Sequence, residues 1–158
     1  MLLDATDCKI LTLMQQDASL PTQEIADKVG LSATPCWRRI QNLEKKGVIV
    51  RRVALLDRER LNVGVDVFVA IKAGMHSKEW FDKFAAAVMG FKEVMEFYRM
   101  SGDIDYLMRV VVPDIAAYDD FYKRLIEKVA MSDISSSFAM ERLKYTTVLP
   151  LTYACRKT

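Results

Sequence analysis

A chain of 158 residues, 51% of them hydrophobic and carrying a formal charge of +2, has ample material for a packed core, which excludes wholesale disorder. No apolar run approaches the roughly 18 residues that cross a bilayer and Met1-Leu2-Leu3-Asp4 is no signal peptide, so a soluble, cytoplasmic protein away from membranes is expected. Three widely spaced cysteines (Cys8, Cys36, Cys155) and a lone histidine, His76, argue against structural disulfides and against any metal site.

The first third reads as three helices. Asp4 to Gln16 carries Ile10, Leu11 and Met14 on one face, and Asp17-Ala18-Ser19 breaks it. A second helix opens at Pro21-Thr22, with Thr22 as cap and Ile25, Ala26 and Val29 buried. Gly30-Leu31-Ser32 is a short turn into the third, where Cys36, Ile40 and Leu43 recur at helical spacing. Ser32 suits its N-cap, Pro35 is tolerable in the first turn, and Gly47 suits the left-handed closing position. Two short helices joined by a turn containing glycine form a helix-turn-helix, and the third helix stands where a recognition helix belongs.

From Ser32 to Arg52 there are six basic residues against one acidic, Glu44; the window carries +5 and the rest of the chain −3. Such a patch points to phosphate contact. The residues assigned to double-stranded DNA are Ser32, Thr34, Pro35, Trp37, Arg38, Arg39, Arg51 and Arg52. Ser32 and Thr34 can donate to phosphate at the helix N-terminus, and Arg38 has the fork that matches a guanine edge. Trp37 packs either on sugar or a thymine methyl, or against the first helix. Arg39 belongs mainly to structure, through an ion pair to Asp7 or Glu24. Arg51 and Arg52 are backbone clamps or strand-edge charges, and Lys45 and Lys46 are solvated.

Val48 to Leu56 is β-branched and reads as a strand, either a wing along DNA or a linker that pairs with its counterpart in another subunit. Residues 57–64 are polar and read as a hinge. Beyond them, strands at 65–73, 94–101, 106–112 and 134–143 alternate with two helices. Ser77 caps the first of these, striped by Trp80, Phe81, Phe84 and Val88. Pro113-Asp114 opens the second, striped by Ile115, Tyr118, Phe121, Tyr122, Leu125, Ile126 and Val129. The order is the βαββαβ ferredoxin-like arrangement, so the expected class is α+β: a helix-turn-helix, winged-helix-like domain at 1–56, the hinge, and a ferredoxin-like domain at 65–158. Helices cover one face of such a sheet, yet 106–112 is apolar on both, so the other face wants a partner, most simply a second copy. Cys36 is spaced as core; Cys8 and Cys155 show no partner, and nothing supports redox sensing there.

With both halves in view, the sequence resembles the Lrp/AsnC family of feast/famine transcriptional regulators over about Asp4 to Leu151. The carriers are D-A-T-D-C-K-I-L, E-I-A-D-K-V-G-L-S, R-R-I-Q-N-L-E-K-K-G-V-I, G-D-I-D-Y-L-M-R-V-V-V-P-D and S-S-S-F-A-M-E-R-L-K-Y-T-T-V-L-P-L. T-P-C-W-R-R, S-K-E-W-F and F-A-M-E-R-L-K-Y-T-T are most similar to the DecR-like, cysteine-responsive branch. The resemblance implies a dimer through the ferredoxin-like domains, assembly of dimers up to octamers, and an amino-acid effector bound between dimers, with no cofactor. It places the effector at the turn and the serine-rich last strand: Met100, Ser101, Gly102, Asp103, Asp105, Tyr106, Ser135, Ser136 and Ser137. There Asp105 could hold an α-ammonium group and the backbone N–H groups near Ser101 and Gly102 an α-carboxylate. Taken alone, Gly-Asp between strands is ordinary hairpin chemistry, Tyr106 and Met100 are equally good core residues, and at most two of the three serines share a pocket.

The rival reading is an architectural DNA-binding protein without a small-molecule effector. An enzyme is disfavoured, since no catalytic set, phosphate loop or metal cluster is present. RNA binding through the sheet is disfavoured because Y-L-M-R-V-V-V lacks paired stacking aromatics.

Overall fold

A computed structural model describes residues 3–74 and 77–155; Met1, Leu2 and the lone His76 lie outside the described residues. The chain divides into two compact units, Met1–Leu55 together with Lys144–Thr158, and Leu56–Leu143. Residues from Lys144 on, expected in the second domain, thus group with the first.

The first unit holds α1 (Ala5–Gln16), α2 (Thr22–Val29) and α3 (Ala33–Lys45). Asp4 caps α1 by accepting the Asp7 N–H at 2.7 Å. Pro21, not Thr22, occupies the N-cap position of α2, and Thr22 is its first residue. Gly30, with φ at +74°, closes α2 in a conformation that favours glycine, and three residues later α3 begins. Ser32 stands at the N-cap of α3 as expected, but its hydroxyl makes no capping bond, so it is free to face outward. Ile10, Leu11, Met14, Ile25, Ala26, Cys36, Ile40 and Leu43 form the core; Val29, expected inside, is half-buried at its edge.

The C-terminal segment completes this unit. Leu3 pairs with Cys155 in a parallel bridge, the Leu3 N–H donating to the Ala154 carbonyl at 3.0 Å. The Gln15 amide brackets Leu149, donating to its carbonyl at 3.3 Å and accepting its N–H at 2.7 Å. Cys8 and Cys155 are joined by a disulfide, against the expectation of none. A separation of 147 residues carries no spacing signal, because only the meeting of the chain ends brings the two together. The expected strand at 48–56 is likewise absent: after Val48 and Ile49 donate to the Leu43 carbonyl, the segment runs exposed and unpaired among the described residues. β-branched residues favour a strand, but a strand also needs a neighbour to bond.

The second unit is a four-stranded antiparallel sheet of order β2-β3-β1-β4, built from β1 (Val65–Lys72), β2 (Val94–Arg99), β3 (Tyr106–Val112) and β4 (Asp133–Phe138). Helices α4 (Lys78–Met89), capped by Ser77, and α5 (Ile115–Lys128), capped by Asp114, cover one face. Val67, Val69 and Ile71 alternate inward with Tyr106, Met108, Val110 and Val112, and pack on Trp80, Phe84, Val88, Phe121 and Leu125. Phe81, Ile115 and Ile126 were expected in the helical stripes but are exposed, at the rim of the apolar arcs. β2 ends at Arg99, two residues earlier than expected. β4 ends at Phe138 rather than 143: Phe138 pairs with Val67, Ala139 donates to the Asp66 carbonyl, and β1 then offers no further ladder. Residues 57–64, read as a hinge, are folded onto β1, since Arg58 bonds the carbonyls of Val63 (3.3 Å) and Gly64 (2.5 Å) and the Asp66 carboxylate.

Candidate functional site

At the start of α3, Ser32, Thr34, Pro35, Trp37 and Arg38 are all exposed, beside the backbone N–H groups that a helix N-terminus leaves unbonded. Trp37 keeps 53% of its surface exposed, which leaves about half the ring for an outside contact and fits a half-buried staple equally. Arg38 makes no ion pair among the described residues.

Arg39 does the opposite. Its Nη1 donates to Asp4 at 2.6 Å and to Asp7 at 2.7 Å, so the guanidinium ties α3 to the start of α1 and is withdrawn from the DNA-facing set. The expected Asp7 partner is found; Glu24 instead pairs with Lys28 at 2.7 Å. The Asp7 N–H first, and the Arg39 guanidinium second, hold the Asp4 carboxyl below its ordinary range, and the two carboxylates raise Arg39 in turn. Arg52 reaches back to Glu44 at 2.7 Å, the single acidic residue of the basic window. Arg51, Lys45 and Lys46 are exposed. The first unit therefore presents Arg38 near the start of α3 and Arg51 just after its end.

In the second unit, the turn between β2 and β3 is closed by the Met100 N–H donating to the Asp105 carbonyl at 2.8 Å, with Gly102 at φ +125°. Met100, Ser101, Gly102 and Asp103 are exposed around it. Asp105 is half-buried and one of its oxygens already accepts the Ala73 N–H at 2.8 Å, fastening the turn to the end of β1. Its Oδ1 has no hydrogen bond among the described residues. Tyr106 takes the core place that was one of its two readings: it is buried, its ring 5.1 Å from Phe84, 5.7 Å from Phe97 and 6.0 Å from Trp80. The serines split as alternation requires. Ser136 faces α5, its hydroxyl bonded to that of Tyr118, whose burial pushes its pKa up. Ser135 and Ser137 lie opposite Ala70 and Phe68 on the uncovered face. Ala70 also pairs with Leu107, so Ser135 is two strand spacings, roughly 10 Å, from β3. The turn and the serines are thus brought to one end of the sheet, but not into one hydrogen-bonded cluster.

Sequence reading missed the charges on that uncovered face. Asp66, only 8% exposed, receives Arg58, Arg109 at 2.8 Å and Arg142 at 3.6 Å, and Arg109 also reaches Glu96 at 2.8 Å. Burial works against the charge on Arg109, and Asp66 and Glu96 more than restore it. An aspartate at an outward position of one apolar strand and an arginine at an outward position of its neighbour were the available signal. Around this network the face carries Phe68 (40% exposed) and Tyr98 (50% exposed), with Leu107 and Val111 half-buried.

Residues 3–50 match the winged helix-turn-helix DNA-binding family model, and residues 66–149 match the Lrp/AsnC ligand binding domain. The chain is 50% identical over 151 residues to the DNA-binding transcriptional activator DecR of Escherichia coli K12, covering 95% of this chain and 99% of that protein. The crystal structure of an AsnC family transcriptional regulator from Agrobacterium tumefaciens superposes with a TM-score of 0.93 at 60% identity, covering 96% of this chain and 99% of that one. A transcriptional regulator from Neisseria meningitidis, solved as a complex with L-Met, does so with a TM-score of 0.91 at 34% identity, covering 96% and 98%.

Proposed function

Since the chain belongs to the Lrp/AsnC family, as a DNA-binding transcriptional regulator with an amino-acid-binding domain and not an enzyme, we propose that α3 reads its operator through Arg38 and that the turn at 100–105 senses the effector. Arg38 takes a guanine edge in the major groove, Ser32 and Thr34 hold a phosphate at the helix N-terminus, Trp37 packs on sugar or a thymine methyl, and Arg51 clamps the flanking backbone, with Arg52 a weaker second. The observation that carries this assignment is the contrast between neighbours: Arg38 is exposed and unpaired among the described residues, whereas Arg39 is spent on Asp4 and Asp7.

Two copies pair through the uncovered sheet face and present two recognition helices to half-sites about one helical turn apart; dimers assemble further, towards octamers. The protein works in the cytoplasm, with no membrane partner. Effector binding acts through its differential affinity for alternative assemblies or DNA-bound states. The effector is a small amino acid, cysteine foremost. Its α-carboxylate meets the backbone N–H groups near Ser101 and Gly102, its ammonium the unbonded oxygen of Asp105, and Ser135 lies at the rim. The resemblance to the cysteine-responsive branch supports this choice, as does the L-Met complex of the Neisseria relative.

The test is a thermal-shift screen of the full chain against the twenty common amino acids at millimolar concentration. A ligand at 100 times its Kd stabilises by about 2.7 kcal/mol, which is readily seen. A shift with cysteine or a close neighbour supports the reading. If the folded, DNA-binding protein responds to none, the effector assignment falls and an architectural role replaces it.

A further inference from the structure

The DNA-reading and effector assignments leave two cysteines idle, and these meet where the chain ends come together. Cys8 on α1 is nearly buried, Cys155 follows the short 3-10 turn Leu151–Tyr153, and their bonded sulfurs join Cα atoms 6.2 Å apart. Among the described residues the C-terminal segment is held by the Leu3 N–H bond to Ala154, the Gln15 bracket on Leu149, and Leu151 and Ala154 against the helical core. The disulfide borders an open cavity of about 430 Å³, large enough for a molecule of amino-acid or small-peptide size, with Lys9, Lys28 and Thr12 in its walls. Cys36 differs in every respect. It is fully buried on α3, and burial pushes its thiol up, so it stays a bystander.

A protein that acts on DNA works where thiol systems keep cysteines reduced, and disulfides found there are transient or sensing rather than permanent. We propose that Cys8 and Cys155 form a reversible thiol–disulfide site that takes small-molecule disulfides as oxidants and small thiols as reductants, and that its closure fastens the C-terminal segment to α1. One cysteine, as its thiolate, attacks the small disulfide. The S–S bond of that molecule breaks, a mixed disulfide forms and one small thiolate leaves. The second cysteine thiolate then attacks the protein sulfur of the mixed disulfide and releases the other small thiolate. The two protons lost by the protein thiols end on the two small thiols, and the two electrons go with them. Closure acts close to the DNA-reading surface, because Cys8 follows Asp7, and Asp7 with Asp4 holds Arg39 of α3.

The experiment equilibrates the full chain in buffers of reduced and oxidised glutathione, quenches with acid, and counts thiols under denaturing conditions with a mass-tagged maleimide. The chain has three cysteines, so the expected result is one tag at the oxidised end and three at the reduced end, reversibly, at monomer mass on a non-reducing gel. Oxidised protein melts higher than reduced by about 5 °C or more, and Cys155→Ser gives two tags at the reduced end, loses a tag at the oxidised end only as a glutathione adduct of Cys8, and melts like the reduced protein throughout. Three tags in excess oxidised glutathione, one tag in dithiothreitol while the protein remains folded, or oxidation only to a doubled mass or a stable glutathione adduct would each overturn the site. Switching tags with an unchanged melting temperature would overturn the fastening. None of these readouts depends on DNA or effector binding, so their failure and the failure of the functional reading are separable.

Discussion

Arg39 donates through a single guanidinium nitrogen to both Asp4 and Asp7, at 2.6 and 2.7 Å, while Asp4 simultaneously caps α1. One carboxylate therefore orders a helix start and anchors the recognition helix. The Asp4 carboxyl lies below its ordinary value of 3.8 because the folded state stabilises its charged form. A depressed carboxylate contributes stability that is complete above the unfolded pKa and fades as pH falls through the folded one. Arg39→Met is expected to destabilise the first unit by about 1 kcal/mol near neutrality, given its partial exposure. In urea unfolding, the gap between wild type and variant should close progressively below about pH 4.

Arg38 and Arg51 should separate by the kind of binding they support. Arg38→Ala is expected to cost about 1–3 kcal/mol on a specific operator, relax the preference at one base pair, and leave stability unchanged. Arg51→Ala should weaken binding evenly across sequences and reduce the slope of log K against log salt by about 1. Arg52→Ala should do less, because Glu44 already neutralises it. Fluorescence anisotropy over a salt series, on operator and scrambled duplexes, distinguishes the three.

Asp105 fastens the turn to the end of β1, and under the proposed function it also holds the effector; two substitutions divide these roles. Asp105→Asn keeps an oxygen for the Ala73 N–H, so it should fold and melt close to wild type yet lose most of its amino-acid-induced thermal shift. Asp105→Ala also frees the end of β1 and should cost about 1 kcal/mol in stability. An undiminished ligand shift in Asp105→Asn would remove the carboxylate from the binding site.

The uncovered sheet face predicts two different failures. Phe68→Asp introduces a charge at the centre of the exposed apolar rows and should lower the mass measured by light scattering while leaving the second unit folded. Asp66→Ala leaves Arg58, Arg109 and Arg142 without their shared counter-charge. It should destabilise the second unit by about 3–5 kcal/mol in urea unfolding.

Periodicity made most of this fold readable. Ile10, Leu11 and Met14, or Val67, Val69 and Ile71, announce their buried faces because helix and strand periods impose them locally. Where the structure departed from local expectation over longer stretches, or decided between open readings, the deciding partner was distant in sequence. Val48–Leu56 has strand composition but no neighbour to pair with. β4 stops at Phe138 because β1 does, and Tyr106 is buried by rings from α4 and β2. Arg38 and Arg39 are adjacent and chemically identical; Asp4 and Asp7 tie Arg39 into the structure, as its expected pairing with Asp7 anticipated, and leave Arg38 for the proposed operator contact. The same holds for Cys8 and Cys155, whose pairing no local pattern encodes.

The grouping of Lys144–Thr158 with Met1–Leu55 makes the sheet unit, Leu56–Leu143, an insertion within the DNA-reading one. During synthesis the inserted unit has its whole sequence available while its host still lacks Leu149, Leu151 and Cys155, so the sheet is free to form first and the DNA-reading unit is completed last. A ribosome that stops short of those residues releases a chain able to fold its sheet yet lacking the Leu3 bridge, the Gln15 bracket and the disulfide on its recognition unit. Premature products would therefore be sheet-competent while their DNA-reading unit stays incomplete.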